Sequence, residues 1–384
     1  MGKKAICYVG WLGHQNIGDE AIYLAIQNLF HNYELKPYNS YTFLVESKYH
    51  PLMQIEHPFS SVSIFGGGTL LPDDVTWIRP NKYNIVFGAG VKDPIFHTKY
   101  DNFDKTVIDR LRCFNFRFLG VRDNKSKLLL EDWGIASEVI GDPALSLKPN
   151  LEIKRDDSKI AVNIGCGGHL WGGDQESVVH EVTRVCKILK NEGFNPVLLP
   201  FSQRDLESVN RVSLAAKIEV FDKWSDIEAL VDFIASSKVL IGQRLHSAVL
   251  SAAAFTPFIC LAYQPKCSAF SESVGMSEYT VRTDKVGSEK ILELFQILMS
   301  EWHKKHNELI SVVEAFRKKQ CAFAERIMSD LDLLPDSDWA NVSFTSKVKN
   351  KLFWETDVFL RRKFGKIWKL YSNFFVSRFA RYLL

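Results

Sequence analysis

In Val239-Leu240-Ile241-Gly242-Gln243-Arg244-Leu245-His246 a short apolar run is stopped by glycine, and the chain reopens as a helix from Leu245 to Ala254. A short β-branched run without polar alternation suits a strand buried on both faces, as in a parallel sheet. The same order recurs in both directions from it. Towards the N-terminus, Ala5–Val9 runs into the polar turn Gly13–Asp19 and a helix with Ala21, Leu24, Ala25 and Leu29 on one face. Ser61–Phe65 ends in Gly66-Gly67-Gly68, and Ile85–Phe87 ends in Gly88-Ala89-Gly90. Arg117–Val121 ends in Arg122-Asp123 before a helix from about Lys125 to Trp133. A polar stretch with Pro149, residues 148–159, reads as a linker. Beyond it the pattern restarts: strand Ile160–Ile164 with Gly165-Cys166-Gly167-Gly168, helix Glu176–Asn191, a strand bracketed by Pro196 and Pro200, strand Ile218–Phe221 and helix Asp226–Ser236. Strand Phe258–Leu261 with a short helix follows, and one long charged helix from Glu289 to about Leu331. The expected fold is α/β, with a first domain over 1–147, a linker over 148–159, a second domain over 160–334 and a tail over 335–384. Two such halves imply a cleft between them, with ligands at the carboxyl ends of the strands.

Composition excludes several classes. At 384 residues, 46% hydrophobic and 24% charged, the chain is neither disordered, collagen-like nor a long coiled coil. Its longest nearly apolar run, Ala248–Tyr263, contains Pro257 and falls short of the ~20 residues of a membrane span. Met1-Gly2-Lys3-Lys4 leads straight into strand-like sequence, unlike a signal peptide, and Ile6 stands where a myristoylation signal has Ser or Thr. The seven cysteines are scattered without a C-x-x-C, which reads as reduced thiols of a cytoplasmic protein. No H-E-x-x-H or Cys/His cluster occurs, so no metal is expected. The glycine loops match neither G-x-G-x-x-G nor a P-loop, which reads against dinucleotide and P-loop nucleotide binding.

The strand ends carry the chemistry. Arg244 and His246 open a helix, where free N–H groups already favour an anion. Arg122 and Lys266 also follow predicted strands, and no acid is expected to crowd Arg122, Arg244 or Lys266 except Asp123. Each alone reads equally as a helix-start ion pair or a solvated cation; together they suit a compact polyanion. Asp19 reads as a helix cap or as a proton acceptor for a hydroxyl, and Asp142 adds a second carboxylate near the cleft. Asp330-Leu331-Asp332 lies at a helix end and does not read as a metal–nucleotide site.

The tail has its own polarity. Residues 347–384 hold ten Lys/Arg and two acids, whereas the rest of the chain is mildly acidic. Phe364, Trp368, Tyr371, Phe375, Phe379 and Tyr382 fall on one helical stripe roughly 80° wide. An aromatic face beside basic residues suggests an interfacial helix on an anionic membrane; the alternative is docking on the protein itself or a second subunit. Nucleic acid is not expected, since no other basic patch accompanies it.

Asn16-Ile17-Gly18-Asp19-Glu20-Ala21, Phe65-Gly66-Gly67-Gly68, Gly120-Val121-Arg122-Asp123 with Ser126, Gly141-Asp142-Pro143-Ala144, Arg244-Leu245-His246 and Tyr263-Gln264-Pro265-Lys266 occur in this order. Together they resemble the polysaccharide pyruvyl transferase family over about residues 5–275. The resemblance implies two Rossmann-like domains facing a cleft in the GT-B manner, with a C-terminal helical extension. It implies the acceptor on the first domain's side and the donor on the second's. The donor it implies is phosphoenolpyruvate as co-substrate, with no further cofactor; the acceptor is a sugar of a surface polysaccharide or its lipid-linked precursor. The product is a pyruvate ketal, with release of phosphate. By motif match, Arg122, Arg244 and Lys266 bind the donor, while Asn16, Gly67, Gly68 and Asp142 are acceptor or loop contacts. His246, expected to titrate near neutrality, protonates the donor's methylene carbon, and Asp19, Asp123 or Asp142 takes hydroxyl protons. A capsule or exopolysaccharide enzyme peripheral on the inner face of the cell membrane follows as the expectation. The alternative is a nucleotide-sugar glycosyltransferase on the same architecture.

Overall fold

The computed structural model describes residues 4–38, 62–72, 83–100, 106–112, 116–165, 171 and 174–339. The basic aromatic helix expected in 347–384 lies outside these residues, as do Cys166, Gly167 and Gly168 of one glycine loop.

The first half runs β1 (Ala5–Val9), α1 (Ile17–Leu29), β2 (Glu34–Tyr38), β3 (Val62–Gly66), β4 (Tyr83–Ala89), α2 (Pro94–Tyr100), α3 (Thr106–Arg112), β5 (Phe116–Val121), α4 (Asn124–Asp132) and β6 (Glu138–Val139). The second runs β7 (Asp156–Asn163), α5 (Gln175–Asn191), β8 (Asn195–Leu198), α6 (Leu206–Ala216), α7 (Ile227–Ser236), β9 (Ser237–Gly242), α8 (Leu245–Ala253), β10 (Phe258–Ala262), α9 (Pro265–Ser273) and β11 (Thr280–Arg282). Then follow α10 (Ser288–Ser300), α11 (Trp302–Asp332) and α12 (Asp336–Trp339). The strand orders are β2-β1-β3-β4-β5-β6 and β11-β10-β9-β7-β8, and every pairing is parallel.

The two sheets repeat one topology. In each, the second strand flanks the first, and the chain then crosses back to build the opposite side. The order therefore reverses between β1 and β3 and again between β7 and β9, where crevices open at the carboxyl ends. Apolar residues cover both faces of the first sheet. Ile6, Tyr8, Ile64 and Ile85 pack with Ala21, Ile22 and Ile26 of α1, while Cys7, Val9, Phe65 and Val86 pack with Leu111, Leu130 and Trp133. This accounts for the unbroken hydrophobic runs.

Several elements differ from the sequence expectation. β7 begins at Asp156, inside the expected linker: its charged first residues are exposed, with Asp156 paired to Ser237 of β9, while Ile160–Asn163 is buried. Ile218–Phe221 forms no strand and makes only the single bridge Val220–Leu198. β2, with Pro37 inside it, is an edge strand that its composition conceals. The long helix is two, turned at Glu301, whose carboxylate accepts from Tyr279 Oη at 2.7 Å. No glycine or proline marks that corner.

α11 also leaves the second sheet and reaches the first. At its start the Trp302 indole donates to Lys238 O at 2.7 Å. Near its end Phe323 lies against Phe87 and Phe118 at 5.5 and 5.8 Å, and Asp330 accepts both arms of Arg117 and the Tyr83 hydroxyl. Between them the buried Arg317 donates to Leu145 O, Leu147 O and Ala253 O at 2.8, 2.6 and 2.8 Å. One guanidinium thus satisfies carbonyls from the crossover segment and the end of α8. Arg317→Ala should lower the unfolding free energy by about 3 kcal/mol, because it strands those acceptors; Arg317→Lys should recover only part. Urea unfolding measures both, and an unchanged midpoint would show that the tie contributes nothing.

Candidate functional site

The carboxyl ends of the two sheets enclose a cavity of about 170 Å³. Its first-domain wall is Trp11, Asn16, Asp19, Gly68, Thr69 and Leu70; its second-domain wall is Arg244, Leu245, His246, Tyr263 and Lys266. The walls differ chemically. One offers an indole, an amide, a carboxyl and a hydroxyl, while the other offers cations and an imidazole.

α1 supplies the first wall. Its cap is Asn16, whose side chain accepts from Gly18 N at 3.3 Å and donates to Asp19 Oδ2. Asp19 is therefore not the cap, and its carboxyl faces the cavity from the first turn. The chain after β8 docks on this turn, with Ile17 N donating to Phe201 O at 2.9 Å and Asn16 bridging to Ser202. Gly18 meets His246 so closely that an added Cβ would stand 2.0 Å from the imidazole Nδ1. Burial pushes the Asp19 carboxyl up to about 7; Lys266 and Arg244 oppose this, and Glu20 and Asp142 add to it.

β9 and α8 supply the other wall. Arg244 N donates to Asn163 Oδ1 at 2.9 Å, and the Arg244 guanidinium grips Asp205, with Nε 2.9 and 3.0 Å from the two carboxylate oxygens. Asp205 is fully buried and also accepts from Phe201 N. The sequence expectation that only Asp123 lies near these cations therefore fails for Arg244. Asp205 is 39 residues away in the chain, and no local pattern connects the two. His246 Nε2 lies 3.8 Å from Asp142 Oδ2. Burial, then Arg122, Lys266 and Arg244, push the imidazole down to about 3. The expectation that His246 titrates near neutrality does not hold; Asp19 does so instead.

Lys266 enters from the first turn of α9 over the Tyr263 ring, 5.1 Å from its centroid. It makes no ion pair among the described residues. A cation at a helix N-terminus is unfavourable until an anion arrives. First-turn residues of α1, α8 and α9 all line the cavity, so three partial positive charges converge on it.

Arg122 stands apart. It is 1% exposed, pairs with Asp123 at 3.0 Å, and its Nη1 donates to Gly68 O at 3.3 Å. It lines a smaller recess of about 20 Å³ that shares Thr69 and Lys266 with the main cavity. The structure thus gathers Arg244, His246, Lys266, Asp19, Asn16 and Gly68 in one cavity, with Arg122 behind the Gly68 wall. Gly67 and Asp142 are corrections. Gly67 turns at φ +63° against Ile22, leaving no room for a Cβ, and lines neither space. Asp142 is fully buried and cannot touch an acceptor. Burial raises its carboxyl to about 6; Arg122 and the Ala144 N–H oppose this and Asp123 adds to it. Trp11, stacked on His14 at 4.1 Å, also lines the cavity, and its one signal in the sequence is an aromatic in a strand-end loop. Among the described residues no His/Cys/Asp/Glu group could hold a metal, and no helix is long and apolar enough to cross a membrane.

A sequence profile described as polysaccharide pyruvyl transferase matches residues 16–265, well over half of the chain. No curated protein matches the sequence. Among solved structures, UDP-GlcNAc 2-epimerase from Neisseria meningitidis aligns with a TM-score of 0.50 at 12% identity, over 85% of this chain and all of that one. A glycosyltransferase from Rickettsia africae aligns at 0.45 and 14%, over 86% of this chain and 98% of that one. An uncharacterised protein from Klebsiella pneumoniae aligns at 0.43 and 16%, over 72% and 92%. The likeness to the epimerase is one of fold: two parallel α/β sheets in a GT-B-like arrangement.

The buried carboxyl makes a prediction independent of any reaction. The Asp19 carboxyl titrates at about 7 in the folded protein against ~3.9 unfolded, so the native state holds the extra proton between these values. Stability therefore falls as pH rises from about 4 to 7. Asp19→Asn removes that fall. The variant should gain on wild type by a few kcal/mol between pH 4.5 and 8 in paired chemical denaturations; a constant difference would show that the carboxyl is not shifted.

Proposed function

The chain belongs to the polysaccharide pyruvyl transferase family, and from that premise we propose that it moves the enolpyruvyl group of phosphoenolpyruvate onto two hydroxyls of a saccharide. The observation that carries this reading is the two-sided cavity. Lys266, Arg244 and the N-termini of α8 and α9 face Asn16, Asp19 and Trp11 across it. The cationic side suits a small donor with a phosphate and a carboxylate. The other side suits a sugar, with Trp11 as an apolar platform and Asn16 as a hydroxyl partner.

The protonation states reverse the roles expected from sequence. Asp19 at about 7 is part-protonated at neutral pH, and the donor's negative charge raises it further. We assign it the proton delivered to the methylene carbon, which makes C2 electrophilic. His246 is neutral, and we assign it the proton of the attacking hydroxyl. The first C–O bond forms at C2, the C–O bond to phosphate breaks, and the second hydroxyl closes the ketal. Of the two hydroxyl protons, one replaces that given to carbon and the other leaves with hydrogen phosphate. The acceptor is a saccharide of a surface glycan or its lipid-linked precursor, worked on at the membrane's inner face.

Phosphoenolpyruvate should raise the melting temperature more than nucleotide diphosphate sugars at equal concentration. The reverse order would favour a nucleotide-sugar glycosyltransferase. At pH 7 donor binding should take up protons, seen in calorimetry across buffers of different ionisation enthalpy, because the anion raises Asp19, Asp142 and His246 together. With an accepting saccharide, Asp19→Asn should slow phosphate release by about 10²–10⁴ while retaining donor binding. Loss of donor binding alone would remove the acid role.

A further inference from the structure

We infer that Asp142 is the positioning residue of His246: its Oδ2 takes the imidazole Nε2–H, fixes the ring as that tautomer and leaves the Nδ1 lone pair to the cavity side. His246 Nε2 and Asp142 Oδ2 are both buried, neither has a hydrogen-bond partner, and they face each other at 3.8 Å. A donor and an acceptor left orphaned in a protein interior each carry the full cost of lost hydration. A shift of about 1 Å would join this pair at ordinary hydrogen-bond length.

The carboxylate is the fixed partner. Its other oxygen accepts from Ala144 N at 3.1 Å, and its backbone carbonyl accepts from Gln320 Nε2 of α11 at 2.7 Å. The same helix presses Phe316 onto Gly141, where a Cβ would stand 2.7 Å from the ring. Closure is therefore a movement of the imidazole. Besides Asp142, the ring is faced by the cations Arg122, Lys266 and Arg244, which oppose a second proton on it. A neutral ring carries one N–H, and the carboxylate facing Nε2 decides which nitrogen holds it. Nδ1 lies on the Gly18 side, where α1 presents Asn16 and Asp19 to the cavity. In turnover Nδ1 would take the hydroxyl proton, and Asp142 would stabilise the imidazolium formed. That step rests on the pyruvyl-transfer reading; the tautomer does not.

The test is long-range proton–nitrogen NMR on histidine-labelled protein at pH 8, without ligand, with His246 assigned among the ten histidines by loss of its signals in His246→Gln. Wild type should show His246 as the Nε2–H tautomer. Asp142→Asn keeps a side-chain oxygen for Ala144 N, and its amide should shift the ring toward Nδ1–H. An Nδ1–H tautomer in wild type overturns the inference, as does an unchanged tautomer in a folded Asp142→Asn. If phosphoenolpyruvate turnover is found, Asp142→Asn should lower kcat about 10-fold or more with little change in donor KM, and should add nothing to His246→Ala. Failure of turnover in wild type would overturn the pyruvyl-transfer reading and leave the tautomer result standing.

Discussion

Residue 18 has no side chain, and the site depends on that. Only a bare Cα lets the first turn of α1 lie against the His246 ring at the mouth of α8. This contact brings two helix N-termini from different sheets to one point. It also withdraws Asp19 and His246 from water, and this desolvation is the largest cause of both of their shifts. Burial disfavours charge of either sign, so it raises the acid and lowers the base. The carboxyl then holds its proton near neutrality and the imidazole does not. One steric fact thus separates the two groups in their hold on a proton.

The arginines serve this arrangement in a less direct way than a bare cationic cluster would. Arg244 is locked by Asp205, and Arg122 by Asp123 and the Gly68 carbonyl. A guanidinium held by a carboxylate has lost much of its attraction for a second anion, but its remaining edge is fixed in place. The charge on offer to a ligand comes mainly from Lys266 and the three helix ends. Lys266 stands where the helix field repels it, an unfavourable interaction that an anion would relieve. Electrostatic stabilisation of this kind is greatest in a cavity that excludes water.

The parallel sheets and the strand-end position of Arg244, His246 and Lys266 were legible because they follow from local order: an apolar run, a glycine, a helix. β2 was not, since proline in an edge strand breaks the composition rule while satisfying the hydrogen-bond rule. The turn at Glu301 was not, since helical periodicity continues through it and only the Tyr279 hydroxyl marks the corner. Asp205 carries no local signal, and Asp142 an incomplete one, for a deeper reason. The role of each is decided by a partner far along the chain, Arg244 for one and His246 for the other. Sequence shows which residues can carry charge; only the fold shows which charges are already paired.

The position of α11 gives that last point its structural meaning. The helix starts on the second sheet at Trp302, ends on the first at Asp330, and in between touches Asp142 through Gln320 and its neighbours through Arg317. The two walls of the cavity come from the two sheets, so their spacing is the spacing of His246 and Lys266 from Asp19 and Asn16. A helix of 31 residues, about 46 Å long, crossing both sheets sets that spacing with a rigid element rather than a loop. The same helix fixes the carboxylate behind the imidazole. Small displacements of one sheet against the other would therefore change the His246–Asp142 distance and the width of the cavity together, coupling the entry of a ligand to the alignment of the imidazole.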